Sequence, residues 1–113
     1  IEVRGRAIQD GLKQAVMVPL NTAELSLAAL KTAQRVVEIG NRNSSTDAGV
    51  GAQIAFTGVR GGIYNVLINL PQIADKKFIQ EMKKKCDELE TTAQRHLDET
   101  TQNLNRIIEQ MLK

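Results

Sequence analysis

The residues with the most evident chemistry lie between Gly40 and Leu70, in GNRNSSTDAGVGAQIAFTGVRGGIYNVLINL. A polar turn carries Asn41, Asn43, Ser44, Ser45 and Thr46, and ends on the one carboxylate of the stretch, Asp47. Two amides, Asn65 and Asn69, follow one helical turn apart on the same side of a helix. A carboxylate can move a proton or balance a cation in a reacting ligand. A pair of primary amides can hold a polar ligand by donor and acceptor groups together. Each also has a plainer use. Ser44 and Asp47 are spaced as a variant of the Ser-x-x-Glu capping box, and Asn41, Asn43 and the neighbouring hydroxyls can satisfy backbone donors. Asn65 and Asn69 can join two helices without further function.

The rest of the chain excludes several chemistries. His96 and Cys86 are the only residues of their types, and on one helix they point to different faces. They therefore make neither a metal site nor a thiol–imidazole pair. The glycines fall within a helical pattern rather than after a strand, which rules out a phosphate-binding loop. A formal net charge of +2, with Lys83-Lys84-Lys85 answered by Asp87, Glu88 and Glu90, leaves no nucleic-acid or membrane-surface footprint. Phe56, Tyr64 and Phe78 are the only aromatic residues, too few to stack a single strand. No uninterrupted apolar run reaches the roughly 18 residues of a membrane span. A lone cysteine excludes a disulfide within the chain and fits a reducing compartment.

The elements that must position the polar residues are helical. With few aromatics and no alternating β-branched run, the core has to come from Leu, Ile, Val, Ala and Met, so the fold class is all-α. At 113 residues the chain is a single domain. From Ala7 the apolar residues Ile8, Leu12, Ala15 and Val16 recur at helical spacing, until Pro19 kinks that helix or begins another. Leu20, Ala23, Leu27, Leu30 and Val37 then form one stripe, widened by Leu25, Ala28, Ala29, Val36 and Ile39, as if buried against more than one neighbour. Gly40 sits where a helix cap belongs. The central helix carries a face of small residues, Ala48, Gly51, Ala52, Ala55, Gly58, Val59 and Gly62, which invites another backbone to come close. Pro71 ends it, Asp75 is placed to cap the next helix, and Lys76 to Leu112 reads as one unbroken helix. That helix, about 55 Å at 1.5 Å per residue, is expected to overhang a domain of this size. Its stripe of Leu97, Leu104, Ile108 and Met111 would then need a dimer partner or a further segment to cover it.

The run GNRNSSTDAGVG, with NVLINL after it and VPLNTAELSLAALKTA before it, resembles the cyclodeaminase domain of formiminotransferase-cyclodeaminase and the related methenyltetrahydrofolate cyclohydrolases. The likeness spans roughly Arg6 to Phe78 and is carried by Gly40, Asn41, Asp47, Asn65, Val66, Ile68, Asn69 and Leu70. It implies a cytoplasmic helical homodimer of long antiparallel helices acting on folate-bound one-carbon units, with no metal or redox cofactor. The chain starts at Ile1 rather than Met, and the family's helical, Gly-rich opening section has no counterpart here. Residues 1–113 are therefore expected to be the C-terminal part of such a domain, with the missing N-terminal segment as a partner.

Two reactions fit that family. One closes 5-formiminotetrahydrofolate to 5,10-methenyltetrahydrofolate with loss of ammonia. The other opens the methenyl bridge with water. Both pass through a tetrahedral carbon between two nitrogens and need proton transfers beside a cationic amidine. Asp47 is the candidate catalytic residue; Asn41, Asn43, Asn65 and Asn69 are candidates to bind the substrate. Arg60, or Arg42, is suited to the glutamate carboxylates of the folate. A rival from another class is a non-catalytic helical oligomerisation module, for which the small stripe is only an interface.

Overall fold

The computed structural model describes residues 2–113. These form α1 (Glu2–Ile39), α2 (Arg42–Asn69), a short 3₁₀ turn (Leu70–Gln72) and α3 (Lys76–Met111), with no strand among the described residues. Register sets the topology. Gln9 bonds Gln72, Lys13 bonds Asp75 and Gln34 bonds His96, a nearly constant offset along the chain, so α1 and α3 run parallel. α2 runs against both, because Gly62 lies on Pro19 and Ala23 while Gly58 lies on Ser26. On its other side Arg60 meets Glu90 and Gly49 meets Leu104. The result is an up-down-up rod of 71 × 18 × 17 Å.

That shape corrects one expectation. The domain is as long as its helices, so α3 does not overhang through length alone. Leu97 packs on the core, Leu104 fills the space at Gly49, and Ile107 and Ile108 are half-buried; only Met111 and Leu112 at the very end stand exposed.

α1 is continuous through Pro19. The ring removes one helical donor, a loss normally on the order of 3 kcal/mol in a helix interior. Two features surround that position. The Thr22 hydroxyl donates to the Val18 carbonyl at 3.2 Å. The α2 backbone also packs directly on the turn: a Cβ built on Gly62 would sit 2.7 Å from the Pro19 carbonyl oxygen and 2.8 Å from the Ala23 Cβ.

Val16, Leu20, Ala23 and Leu30 of α1 meet Ala52, Val59, Ile63 and Val66 of α2 in one core, closed by Leu70, Ile73, Met82, Cys86 and Ala93. The small face of α2 is thus real, with its members partly reassigned. Gly49, not Gly51, is the glycine at the α3 contact, and Gly51 has nothing within 4 Å. The broad stripe on α1 also divides: Leu20, Ala23, Leu30 and Val37 are buried, whereas Leu25, Val36 and Ile39 remain exposed.

The turns follow local chemistry. At Gly40 a Cβ would lie 2.5 Å from the Val36 carbonyl oxygen and 2.7 Å from Ser44 Oγ, so the α1–α2 turn has no room for a side chain. No glycine has a positive φ among the described residues, so crowding is the reason for glycine here. Asp75 caps α3 by accepting from the Phe78 N–H at 3.1 Å, and it pairs with Lys13 at 2.8 Å.

Candidate functional site

The polar turn is built around Asn41. Its side chain accepts the Ser44 N–H at 3.0 Å, and its backbone carbonyl accepts both the Ser44 and Ser45 hydroxyls. Asn41 is therefore the N-cap of α2, and the Ser44–Asp47 capping box is not formed. Ser45 is buried by this arrangement. Asp47, one turn further in, is exposed, as is Asn43. With the capping role filled by Asn41, the Asp47 carboxylate is left to the solvent-facing side of the helix.

The amide pair sits at the other end of α2. Asn69 Nδ2 donates to the Asn65 carbonyl at 2.7 Å, which holds the Asn69 side chain against its own helix. Across from it runs the Pro19 turn of α1. Because Pro19 has no N–H, the Ala15 carbonyl one turn back lacks its helical donor. Ala15, Val18, Pro19 and Thr22 line an open cleft of about 330 Å³ together with Asn65 and Asn69. The cleft thus joins two amides to a largely apolar wall. The amides were legible in the sequence; the Pro19 wall was not, although a proline inside a helical pattern was its signal.

Arg60 is turned to the opposite side. Its guanidinium donates to Tyr64 Oη at 2.6 Å, pairs with Glu90 of α3 at 3.0 Å and lies over the Phe56 and Tyr64 rings. The Tyr64 hydrogen bond, and then Glu90, push its already high pKa further up. Its charge is engaged within the fold, away from the Asn65–Asn69 cleft.

The candidate residues therefore fall into separate places. Asn41, Asn43 and Asp47 lie at the start of α2, Arg60 faces α3, and Asn65 and Asn69 face α1. About five helical turns, roughly 27 Å, separate Asp47 from Asn65 along α2.

The single histidine and cysteine serve the packing. His96 is half-buried between α3 and α1, with Nδ1 at 2.6 Å from Gln34 Oε1, while Gln34 Nε2 donates to Glu99 at 3.0 Å. Burial, then Arg95 and Lys31, push its pKa down. Cys86 is buried in the core, and burial, then Asp87 and Glu90, push its thiol up, away from a reactive thiolate. No group of three or more potential metal ligands occurs among the described residues. No described helix is long and apolar enough to cross a membrane.

The sequence matches the family described as Formiminotransferase-cyclodeaminase over residues 1–88, a span that includes both polar ends of α2 and the Pro19 turn. The chain belongs to the formiminotransferase-cyclodeaminase family. It is 37% identical over 86 residues to the formimidoyltransferase-cyclodeaminase of Sus scrofa, covering 76% of this chain and 16% of that protein. The formimidoyltransferase-cyclodeaminase of Dictyostelium discoideum is 32% identical over 102 residues, 90% of this chain and 19% of that one. The methenyltetrahydrofolate cyclohydrolase of Methylorubrum extorquens is 35% identical over 86 residues, 76% of this chain and 41% of that protein. The chain thus spans less than half the length of each of these relatives.

Proposed function

We propose that this chain forms the C-terminal part of a cytoplasmic, homodimeric helical domain that interconverts 5,10-methenyltetrahydrofolate with a ring-opened form. The reaction is either cyclodeaminase or cyclohydrolase chemistry. The observation that carries this reading is the family match over residues 1–88, whose relatives carry both enzyme names and whose span holds every candidate residue.

In this reading the Asn65–Asn69 cleft holds the folate, its amides presenting donors and acceptors to the polar ring edge. A carboxylate is the natural partner for the cationic bridge. It balances the charge of the amidinium while the tetrahedral carbon forms, and it takes or returns the proton as a nitrogen leaves. Asp47 is the residue of this stretch that can do so.

A second reading is favoured by the exposed Val18, Leu25, Ile54 and Ile68: a non-catalytic helical module whose business is association. The two are separated by incubating the intact protein with 5,10-methenyltetrahydrofolate and with 5-formiminotetrahydrofolate, following the absorbance of the methenyl bridge. Turnover of either supports the enzyme, and the folate that turns over names the reaction. Absence of turnover together with no binding of a reduced folate favours the module.

A further inference from the structure

The wall that α1 gives to the Asn65–Asn69 cleft is apolar except at one residue. Ala15, Val18 and Thr22 recur at three- and four-residue steps and share a face, with Pro19 beside them. Val18 is 70% exposed. A surface of this kind takes the flat face of a ring, while the few polar groups at its margin take the ring's edge. On the α1 side that polar group is Thr22.

Hydrogen bonds inside the fold fix what each polar side chain of the cleft has left to offer. Thr22 Oγ1 lies 3.2 Å from the Val18 carbonyl oxygen, and only its O–H can donate there. The hydroxyl proton is spent, so Thr22 offers a ligand lone pairs alone. Thr32 and Thr57 make the same bond to the carbonyl four residues back, an ordinary habit of threonine in a helix. What sets Thr22 apart is its place on the cleft. Asn69 Nδ2 donates to the Asn65 carbonyl at 2.7 Å, which leaves Asn69 its Oδ1 and one N–H. Asn65 enters that bond through its backbone, so the bond leaves its side-chain amide intact as donor and acceptor.

The three groups form a ladder with a direction. Gly62 is seated against the Pro19 carbonyl oxygen and the Ala23 nitrogen, so Thr22 stands level with Gly62 on α2. Asn65 is then almost one turn along and Asn69 almost two, about 10 Å from the level of Thr22. One end of the ladder only accepts; the other, made of amides, both donates and accepts. The reduced pteridine of a folate is unsymmetrical in a complementary way. Its pyrimidine end carries an exocyclic 2-amino group, which needs acceptors, and next to it an N3–H and a C4 carbonyl that match a primary amide. The far end of the ring carries the nitrogen of the one-carbon bridge.

We propose that Thr22 is a substrate-binding residue of this cleft, its oxygen accepting from the 2-amino group of the pteridine. The ring then lies with its pyrimidine end at Thr22, its lactam edge on Asn65 and its one-carbon bridge toward Asn69. This rests on the folate reading of the cleft and adds to it the direction of the ring and a residue that sets it. A ligand of the same outline without the exocyclic amine leaves the Thr22 oxygen without its donor and binds less well.

Titration of the intact protein with two ligands tests the contact. One is 5-formyltetrahydrofolate; the other is its 2-desamino-2-methyl counterpart, which has the same outline and no amine. The wild type should bind the first about threefold to tenfold more tightly than the second. Thr22→Val keeps the side chain's shape and removes the oxygen. It should raise the Kd for 5-formyltetrahydrofolate about threefold to tenfold and leave that for the counterpart unchanged. Thr22→Ser, which keeps the oxygen, should bind both ligands within about twofold of the wild type. Unchanged binding of 5-formyltetrahydrofolate by Thr22→Val would overturn the proposal and leave the folate reading standing. An equal loss for both ligands, the mark of a merely structural residue, would do the same, as would a Thr22→Ser protein as weak as Thr22→Val. Should Thr22→Val fail to fold, the wild type still decides: equal affinity for the two ligands would overturn the contact. A wild type that binds neither ligand would remove the folate reading itself, and the proposal with it.

Discussion

Replacing Gly62 with alanine is the sharpest probe of how the cleft is built. The added Cβ would lie 2.7 Å from the Pro19 carbonyl oxygen, 2.8 Å from the Ala23 Cβ and 2.9 Å from the Ala23 nitrogen. None of these is the end of a flexible side chain, so relief requires α1 and α2 to separate. Overpacking of a tight contact costs about 1–3 kcal/mol, and the rigid neighbours argue for the upper half of that range. Alanine recovers about 1 kcal/mol of helix propensity relative to glycine, leaving a net loss of about 1–2 kcal/mol. For a domain of this size that is a fall in Tm of about 5–10 °C. Gly5→Ala is the control. Gly5 is exposed on the projecting end of α1 with nothing within 4 Å, so the same chemical change should leave the melting temperature unchanged or raise it. Gly58→Ala should fall between the two, because its nearest neighbour, Ser26 Oγ at 2.5 Å, can rotate away. The assay is thermal denaturation followed by far-UV circular dichroism. A Gly62→Ala chain melting at or above the wild type would refute the close backbone contact, and with it the account of how Asn65 and Asn69 are held against Pro19.

Three further outcomes follow from the geometry. Asp47→Asn should lower folate turnover by about a hundredfold or more while the melting curve stays put, because Asn41 already caps α2; full activity would remove Asp47 from the chemistry. Asp75→Asn keeps a competent cap but loses the charge on Lys13, which, ahead of the Phe78 N–H, holds the Asp75 carboxyl below its ordinary range. A depressed carboxylate stabilises above its unfolded pKa, so the gap between wild type and variant should be open at neutral pH and close as pH falls below about 4; a gap independent of pH would contradict the pairing. His96 has its pKa lowered by burial, then by Arg95 and Lys31, with Glu99 opposing, so the unfolded chain binds the proton more readily. Wild-type stability should therefore decline as pH drops through about 6.5, and His96→Gln should lack that component of the decline in unfolding measured from pH 7.5 to 5.5.

Much of the architecture was decided locally and could be read from the chain. Helix propensity and apolar spacing act over a few turns, so α3, its Asp75 cap and the buried Leu20–Ala23–Leu30 stripe are properties of neighbouring residues. The family was legible for the same reason, since GNRNSSTD and NVLINL are contiguous. Local rules failed where two uses of a residue competed. Asn41 and Ser44 were both able to cap α2, and in the structure Asn41 takes the role, with the Ser44 hydroxyl turned back to the Asn41 carbonyl. Pro19 was equally able to divide α1 or be carried within it, and the helix is continuous where Gly62 lies against the turn.

What a linear pattern does not contain is direction around and distance along the helices. Asn65, Asn69 and Arg60 are near neighbours in sequence, yet the helical angle between them sends the amides to α1 and the guanidinium to Glu90 on α3. Asp47 and the amides share one motif, yet a rigid rod at 1.5 Å per residue keeps them roughly 27 Å apart, a separation that no adjustment within α2 can remove. The sequence determined which polar residues are the candidates for chemistry and that they ride on helices. Only the packing of three rods decided which of those residues share a cleft and which are turned apart.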